Sequence, residues 1–293
     1  MFDEAARLSN SSHAFGHLAA YAYPSAGKEA LHVAADWMTW LYALDDGFVD
    51  ESRPSPVVVT TQTAALLRVM DGGSATTPLA RALADISTRL TRLGSLAQTA
   101  RFHDKVRGYL LGCLAESACR ATQHSPAVKD YLALRVQASA DYTCLALVEP
   151  ACGGPELTSR QLHHPHVQAL TTHAAYIIAM ANDVFSLPRE ISNCPTDFIF
   201  NLALVCAHAE NSGIQDGLAQ AAALTNERIQ VFYELYEHAI PAVDALTRTY
   251  LHALAAWLQG TYDWMINSGR YQPHWPPGDW PGADTARRPV REP

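Results

Sequence analysis

Apolar residues recur three and four positions apart along almost the whole chain, alanine and leucine dominate, and the alternation that marks β-strands is scarce. The pattern predicts an all-α protein. Breakers divide it at Arg53-Pro54-Ser55-Pro56, Gly72-Gly73-Ser74, His124-Ser125-Pro126, the stretch from Glu149 to Pro165 containing Gly153-Gly154-Pro155, and Ser212-Gly213. Between them helices are expected over 24–46, 57–70, 78–93, 95–122, 127–148, 167–190, 197–210, 214–240 and 241–268, packed around one core. No repeat of fixed period interrupts this, and the tail from Gln272, rich in Pro and Gly, is expected to be disordered.

Composition sharpens the picture. The 293 residues are 48% hydrophobic but only 17% charged, so a large apolar interior lies under a thin charged shell. Lys and Arg number 21 against 29 Asp and Glu, a net charge of −8 that repels a phosphate backbone and argues against nucleic-acid binding. No apolar run is long enough to span a membrane, and the start MFDEAARLSNSSHAF carries acids where a secretory signal would be basic and then apolar, so a cytoplasmic protein is expected. The cysteines, Cys113, Cys119, Cys144, Cys152, Cys194 and Cys206, form no C-x-x-C pair and read as reduced core residues. His163, His164 and His166 suggest a metal, but Pro165 among them and the Gly/Pro surroundings favour a solvated loop.

Two constellations carry chemistry. Trp37-Met38-Thr39-Trp40-Leu41-Tyr42-Ala43-Leu44-Asp45-Asp46-Gly47-Phe48-Val49-Asp50-Glu51 places four carboxylates within seven residues at the end of an apolar, aromatic helix. The helix dipole disfavours negative charge there, so a cation is needed to offset it, and hard carboxylate oxygens suit Mg²⁺. The bland alternative is an acidic helix end running into solvent. In Asn182-Asp183-Val184-Phe185-Ser186-Leu187-Pro188-Arg189-Glu190, the residues Asn182, Ser186 and Glu190 stand four apart. Each step drifts about 40° around the helix and rises about 6 Å, so an amide oxygen, a hydroxyl and a carboxylate line one face. That is a second oxygen set for Mg²⁺, with Arg189 beside it to pair a phosphate. Pro188 is expected to kink the helix or shift the last donor.

Together the two motifs resemble the aspartate-rich and N-x-x-x-S-x-x-[KR]-E motifs of class I terpene synthases of the microbial type. Tyr131-Leu132-Ala133-Leu134-Arg135 resembles that family's segment with a diphosphate-sensing arginine, and Arg270-Tyr271 after Trp264 resembles its C-terminal R-Y pair. The resemblance runs from about Tyr23 to Tyr271 and implies one helical-barrel domain over 1–271, followed by the tail over 272–293. It also implies a prenyl diphosphate substrate held through three Mg²⁺ ions. Asp45, Asp46, Asp50, Asn182, Ser186 and Glu190 would hold metal, and Arg135, Arg189, Arg270 and Tyr271 would hold the diphosphate.

The cation left when diphosphate departs needs an apolar, aromatic wall. Counting back in fours from Asp45 gives Leu41 and Trp37, and Ile178 lies likewise below Asn182. A ring face beside a desolvated cation contributes about 0.5–2 kcal/mol, although an aromatic at helical spacing is more often core packing. Phe102, Tyr109 and Trp264 are further candidates.

The chain departs from the family pattern in three places. Val49 occupies the fifth place of the usual D-D-x-x-D, leaving the third carboxylate to Asp50 or Glu51. Ala138-Ser139-Ala140 stands where relatives have a glycine at a helix break, which suggests a shallower break. The 44 residues before Asp45 suggest that the capping N-terminal segment is shortened or absent. An open mouth of that kind favours a C20 substrate, geranylgeranyl or copalyl diphosphate, supplied by an upstream cyclase or prenyltransferase, with C15 farnesyl diphosphate close behind. A homodimer is left open, since antiparallel dimers occur in the family.

Other readings explain less. Chain-elongating prenyltransferases share the fold but carry two aspartate-rich motifs, and class II cyclases need a D-x-D-D acid that Ala43-Leu44-Asp45-Asp46 lacks. Both metal motifs speak against a non-catalytic helical binding protein, while Pro188 and Ala138-Ser139-Ala140 leave that reading open.

Overall fold

The computed structural model describes residues 15–46, 54–153, 156–193 and 198–275. All their regular structure is helical: α1 (Phe15–Ala22), α2 (Lys28–Leu44), α3 (Pro56–Met70), α4 (Pro78–Leu93), α5 (Leu96–Thr122), α6 (Val128–Ala138), α7 (Asp141–Ala151), α8 (Ser159–Leu162), α9 (Pro165–Asn193), α10 (Leu202–Ala209), α11 (Ile214–Ala242) and α12 (Ala245–Asn267), with a 3₁₀ turn at Gln272–His274.

Local chemistry sets many of the ends. Pro opens α3 and α4 in the first turn, where its missing N–H is no loss. Ser95 and Gln98 form a reciprocal capping box at the start of α5, and Asp244 accepts from Thr247 N to start α12. Pro165 opens α9 instead of merely breaking a helix.

The 29-residue α9 is the central element, in contact with α6, α7, α8, α10, α11 and α12. The main core runs from Phe15 through Trp37, Phe102, Leu170 and Phe232 to Trp257, and a smaller cluster around Tyr131, Met180, Phe200 and Cys206 joins α6, α9, α10 and α11. Gly112 on α5 is a requirement of this packing, because a Cβ there would lie 2.5 Å from the backbone nitrogen of Ala138 at the end of α6.

Several boundaries differ from expectation, each for a physical reason. The helix expected over 127–148 is two helices, broken at Ala140, which adopts the left-handed conformation at φ 65°. The break is therefore fully formed without glycine. Pro188 does not displace the last candidate donor, since α9 continues to Asn193 and Ser186 Oγ reaches Glu190 Oε1 at 2.6 Å. The segment ahead of the acidic motif, expected to be shortened or absent as a cap, contributes α1, whose Phe15 stacks on Tyr42 at 4.1 Å between ring centres.

Cys113, Cys119, Cys144, Cys152 and Cys206 are free thiols, and Cys194 lies outside the described residues. His163 ends α8 while His166 enters α9, and no three His, Cys, Asp or Glu side chains among the described residues form a metal cage. Of the tail, Trp275 Nε1 donates to Phe185 O at 3.0 Å, whereas 276–293 lie outside the described residues. No helix among the described residues is long and apolar enough to cross a membrane.

Candidate active site

A cavity opens at the acidic end of α2. Seven helices line it. Leu18 comes from α1, Met38, Leu41 and Tyr42 from α2, Tyr109 from α5, and Arg135 from α6. Cys144 comes from α7, Ile178 and Asn182 from α9, and Trp257, Thr261 and Met265 from α12. Ala138, Ser139, Ala140 and Asp141 at the α6–α7 break complete the wall. Apolar side chains share the lining with Asp45, Arg135, Asp141 and Asn182.

At the C-terminal end of α2 the backbone at Asp45 and Asp46 is wound as a wider π turn, a distortion common at functional positions. Asp45 lines the cavity. Asp46 instead receives a bidentate pair from Arg270, Nη1 to Oδ2 at 2.9 Å and Nη2 to Oδ1 at 2.7 Å, and Arg189 Nη2 lies 3.2 Å from the same Oδ1. Burial alone would raise the Asp46 carboxyl, but the two guanidiniums outweigh it and hold the group below its ordinary range. One carboxylate thus ties the acidic motif, α9 and the C-terminal Arg-Tyr pair together. Asp50 lies outside the described residues.

Across the mouth, Asn182 Oδ1 accepts from Arg135 Nη2 at 2.8 Å and Asn182 Nδ2 donates to the Tyr271 hydroxyl at 2.9 Å. Glu190 is oriented through both oxygens, by Ser186 Oγ at 2.6 Å and by Asn201 Nδ2 at 3.0 Å. Arg135 is itself held from behind. Its Nε donates to Asp183 Oδ1 at 2.7 Å, and Asp183, fully buried, also accepts from the Tyr131 hydroxyl at 2.6 Å and from Leu202 N at 3.1 Å. Loss of solvation lifts the Asp183 carboxyl above its ordinary value, opposed by those three donors. Arg135 stays charged, its proton held more firmly than usual by Asp183 despite burial.

Leu41 and Ile178 lie on the cavity wall, as does Tyr109. Three sequence-predicted wall residues do not. Trp37 is wholly buried in the core, its Nε1 donating to Thr143 Oγ1 at 2.9 Å and its ring stacked on Trp40. Phe102 packs edge-on against Trp37 at 4.7 Å, and Trp264 lies behind the mouth with Phe15, Tyr42 and Tyr271 around it. Counting only in fours from Asp45 follows one ridge of α2, and the cavity faces the adjoining three-residue step, where Tyr42 and Met38 lie. Trp257, Thr261 and Met265, missed in the sequence, form a ridge of the same four-residue spacing on α12.

Asp141 was not anticipated either. It is 6% exposed, lines the cavity, and its Oδ2 has no hydrogen-bond partner among the described residues. Burial pushes its carboxyl up to about 7, tempered by the Ser139 hydroxyl and the Arg135 guanidinium.

Comparison with known proteins agrees with this geometry. The family model described as terpene synthase family 2, C-terminal metal binding, matches residues 36–230. The chain is 31% identical over 269 residues to a (+)-T-muurolol synthase, (2E,6E)-farnesyl diphosphate cyclizing, of Roseiflexus castenholzii, covering 88% of this chain and 80% of that one. It is 27% identical to a 4-epi-cubebol synthase, (2E,6E)-farnesyl diphosphate cyclizing, of Streptosporangium roseum, covering 89% and 79%. The crystal structure of germacradien-4-ol synthase from Streptomyces citricolor superposes with a TM-score of 0.75 at 25% identity, over 87% of this chain and 85% of that one. With the family model spanning most of the helical barrel, including both motifs at its mouth, the chain belongs to terpene synthase family 2 and is a class I terpene synthase.

Proposed function

We propose that the chain cyclises farnesyl diphosphate, a C15 substrate, to a sesquiterpene with loss of diphosphate. The observation that carries this is a cavity lined by Asp45, Arg135 and Asn182, beside which Asp46 pairs with Arg189 and Arg270. The C20 preference drawn from the N-terminus gives way, because α1 supplies Leu18 to the wall and similar proteins are named for farnesyl diphosphate.

The donor set fits magnesium. Asp45, Asn182, Ser186 and Glu190 offer hard oxygens, the ligand type that suits magnesium, which commonly pairs one or two carboxylates with substrate phosphates. Asp45, with Asp46 and Asp50, would hold metal on one side, and Asn182, Ser186 and Glu190 on the other; three ions would exceed the roughly threefold negative charge of a diphosphate, and the carboxylates offset the excess. Bound magnesium supplies Lewis-acid stabilisation of the departing diphosphate.

The remaining work falls to the chain. Arg135, Arg189 and Arg270 donate to diphosphate oxygens, with the Tyr271 hydroxyl beside them. Each of these arginines is now occupied by Asn182 or Asp46, so the anion competes with those contacts for a site already organised for negative charge. Asp183 and Tyr131 keep Arg135 aimed at the mouth. Leu41, Met38 and Ile178 in the lining would fold the prenyl chain and exclude water from the cation, with the aromatic rings of Trp257 and Tyr109 in the same lining.

Incubating the pure protein with farnesyl, geranylgeranyl and copalyl diphosphates, with and without Mg²⁺, and analysing the organic extract tests this. A cyclic C15 hydrocarbon or alcohol is expected from farnesyl diphosphate with metal alone. Absence of any metal-dependent product from all three overturns it.

A further inference from the structure

We infer that Asp141 is a proton donor inside the reaction cavity, protonating a neutral cyclic polyene formed part-way through the reaction and taking a proton back from the last cation. The inference rests on the cyclisation reading above and extends it to the course of the reaction.

The placement is unusual for a carboxyl. Asp141 opens α7 directly after left-handed Ala140 and lines the same cavity as the apolar Met38, Ile178 and Trp257. Its Oδ2 meets no donor among the described residues. Other buried carboxylates here are well supplied: Asp183 accepts from Tyr131, Arg135 and Leu202 N, and Glu149 from Arg101 and from Leu157 N. A buried carboxylate oxygen left without a donor costs about 1–3 kcal/mol, with nothing in return if its role is purely structural.

The groups facing Asp141 define its chemistry. Arg135 on α6 and Asp183 on α9 act on it with opposite sign, Ser139 precedes it, and Cys144 and Tyr142 share its helix. Tyr23 approaches from the turn before α2. With its carboxyl pushed up to about 7, Asp141 holds a proton for much of the time at neutral pH. Burial drives the Tyr42, Tyr109 and Cys144 protons in the opposite sense from useful acidity, leaving Asp141 the strongest acid on the apolar wall.

The step balances. After ionisation and a first ring closure, the cation loses a proton to the released diphosphate, giving a neutral polyene. The Asp141 O–H bond then breaks, the π electrons of one alkene form the new C–H bond, and a tertiary cation faces the new carboxylate. A second alkene closes the next ring. The resulting cation gives up a C–H proton to Asp141, whose electron pair takes it as the product double bond forms, and the acid is restored.

The test runs the reaction on farnesyl diphosphate in D₂O and reads diphosphate release and product mass together. One deuterium in the polycyclic product of the unsubstituted protein is expected. In Asp141→Asn, the ratio of neutral monocyclic to polycyclic product rises by roughly 10²-fold, with no deuterium in the former. A polycyclic product free of deuterium, or an Asp141→Asn variant whose product mixture is unchanged, overturns the assignment and leaves the cyclisation reading standing. No metal-dependent diphosphate release from the unsubstituted protein overturns both. The deuterium measurement needs no variant, so a misfolded Asp141→Asn does not protect the inference.

Discussion

Asp183 shows how much of the site depends on a residue with no place in the metal face. It adjoins Asn182, but a one-residue step turns about 100° around the helix, away from the stripe of Asn182, Ser186 and Glu190. Its partners Tyr131 and Arg135 come 52 and 48 positions earlier in the chain. Asp183→Asn leaves Arg135 buried without its counter-ion, so the protein should lose about 3–5 kcal/mol in urea unfolding, together with diphosphate binding. Asp45→Ala and Asn182→Ala should behave differently: metal-dependent diphosphate release falls by roughly 10²-fold or more, while helical circular dichroism is retained. Full activity in either places the metal elsewhere. Asn182, Ser186 and Glu190 were readable because a four-residue spacing is a local property. Asp183 was not, because its role is defined only by what α6 brings to it.

The decisive element is the break between α6 and α7. The sequence Ala138-Ser139-Ala140 contains no glycine and reads as continuous helix, yet Ala140 takes φ 65° and a new helix starts at Asp141. An L-residue in that conformation costs about 1–2 kcal/mol, and the backbone just before it packs closely on Gly112 of α5. Ala140→Gly should relieve the strain and raise stability by up to about 1 kcal/mol, a gain of about 2–4 °C in Tm, whereas Ala140→Val should lower it. An unchanged melting temperature in both would mean the break carries no strain. Elsewhere the helical pattern transmits well, as in α5, where Ser95, Gln98 and a long apolar stripe place an uninterrupted helix close to its expected limits. Pro188 reads as a disruption but is absorbed within α9, whose far end is anchored by the Ser186–Glu190 and Asn201–Glu190 hydrogen bonds.

At the scale of the molecule, opposed electrostatic contributions make stability depend on pH. The Asp141 carboxyl binds its proton more tightly folded than unfolded, so the stability it contributes is complete below its ordinary value of 3.8 and is lost as pH rises through about 7. Unfolding free energy should fall by roughly 4 kcal/mol over that window, and Asp141→Asn should flatten the fall. Asp46 works the other way, its pairing with Arg270 and Arg189 being lost only in stronger acid. Ligand linkage offers a separate measurement: Mg²⁺ and inorganic diphosphate together should raise Tm, by about 2.7 kcal/mol of stabilisation at a hundredfold excess over Kd, and neither should do so alone. A rise with diphosphate alone would mean that the arginines bind the anion without metal. The acidic net charge of −8 is in keeping with a protein that binds its anionic substrate through cations. By itself the sequence determined the all-α class, the two oxygen-bearing motifs and the arginines, since helical period and donor spacing are local and survive without coordinates. Only the tertiary structure decided that Asp46 joins Arg189 and Arg270, that Trp37 is core while Trp257 is wall, and that Asp141 faces the cavity. These depend on how helices rotate against one another when apolar faces pack, and no single helix carries that information.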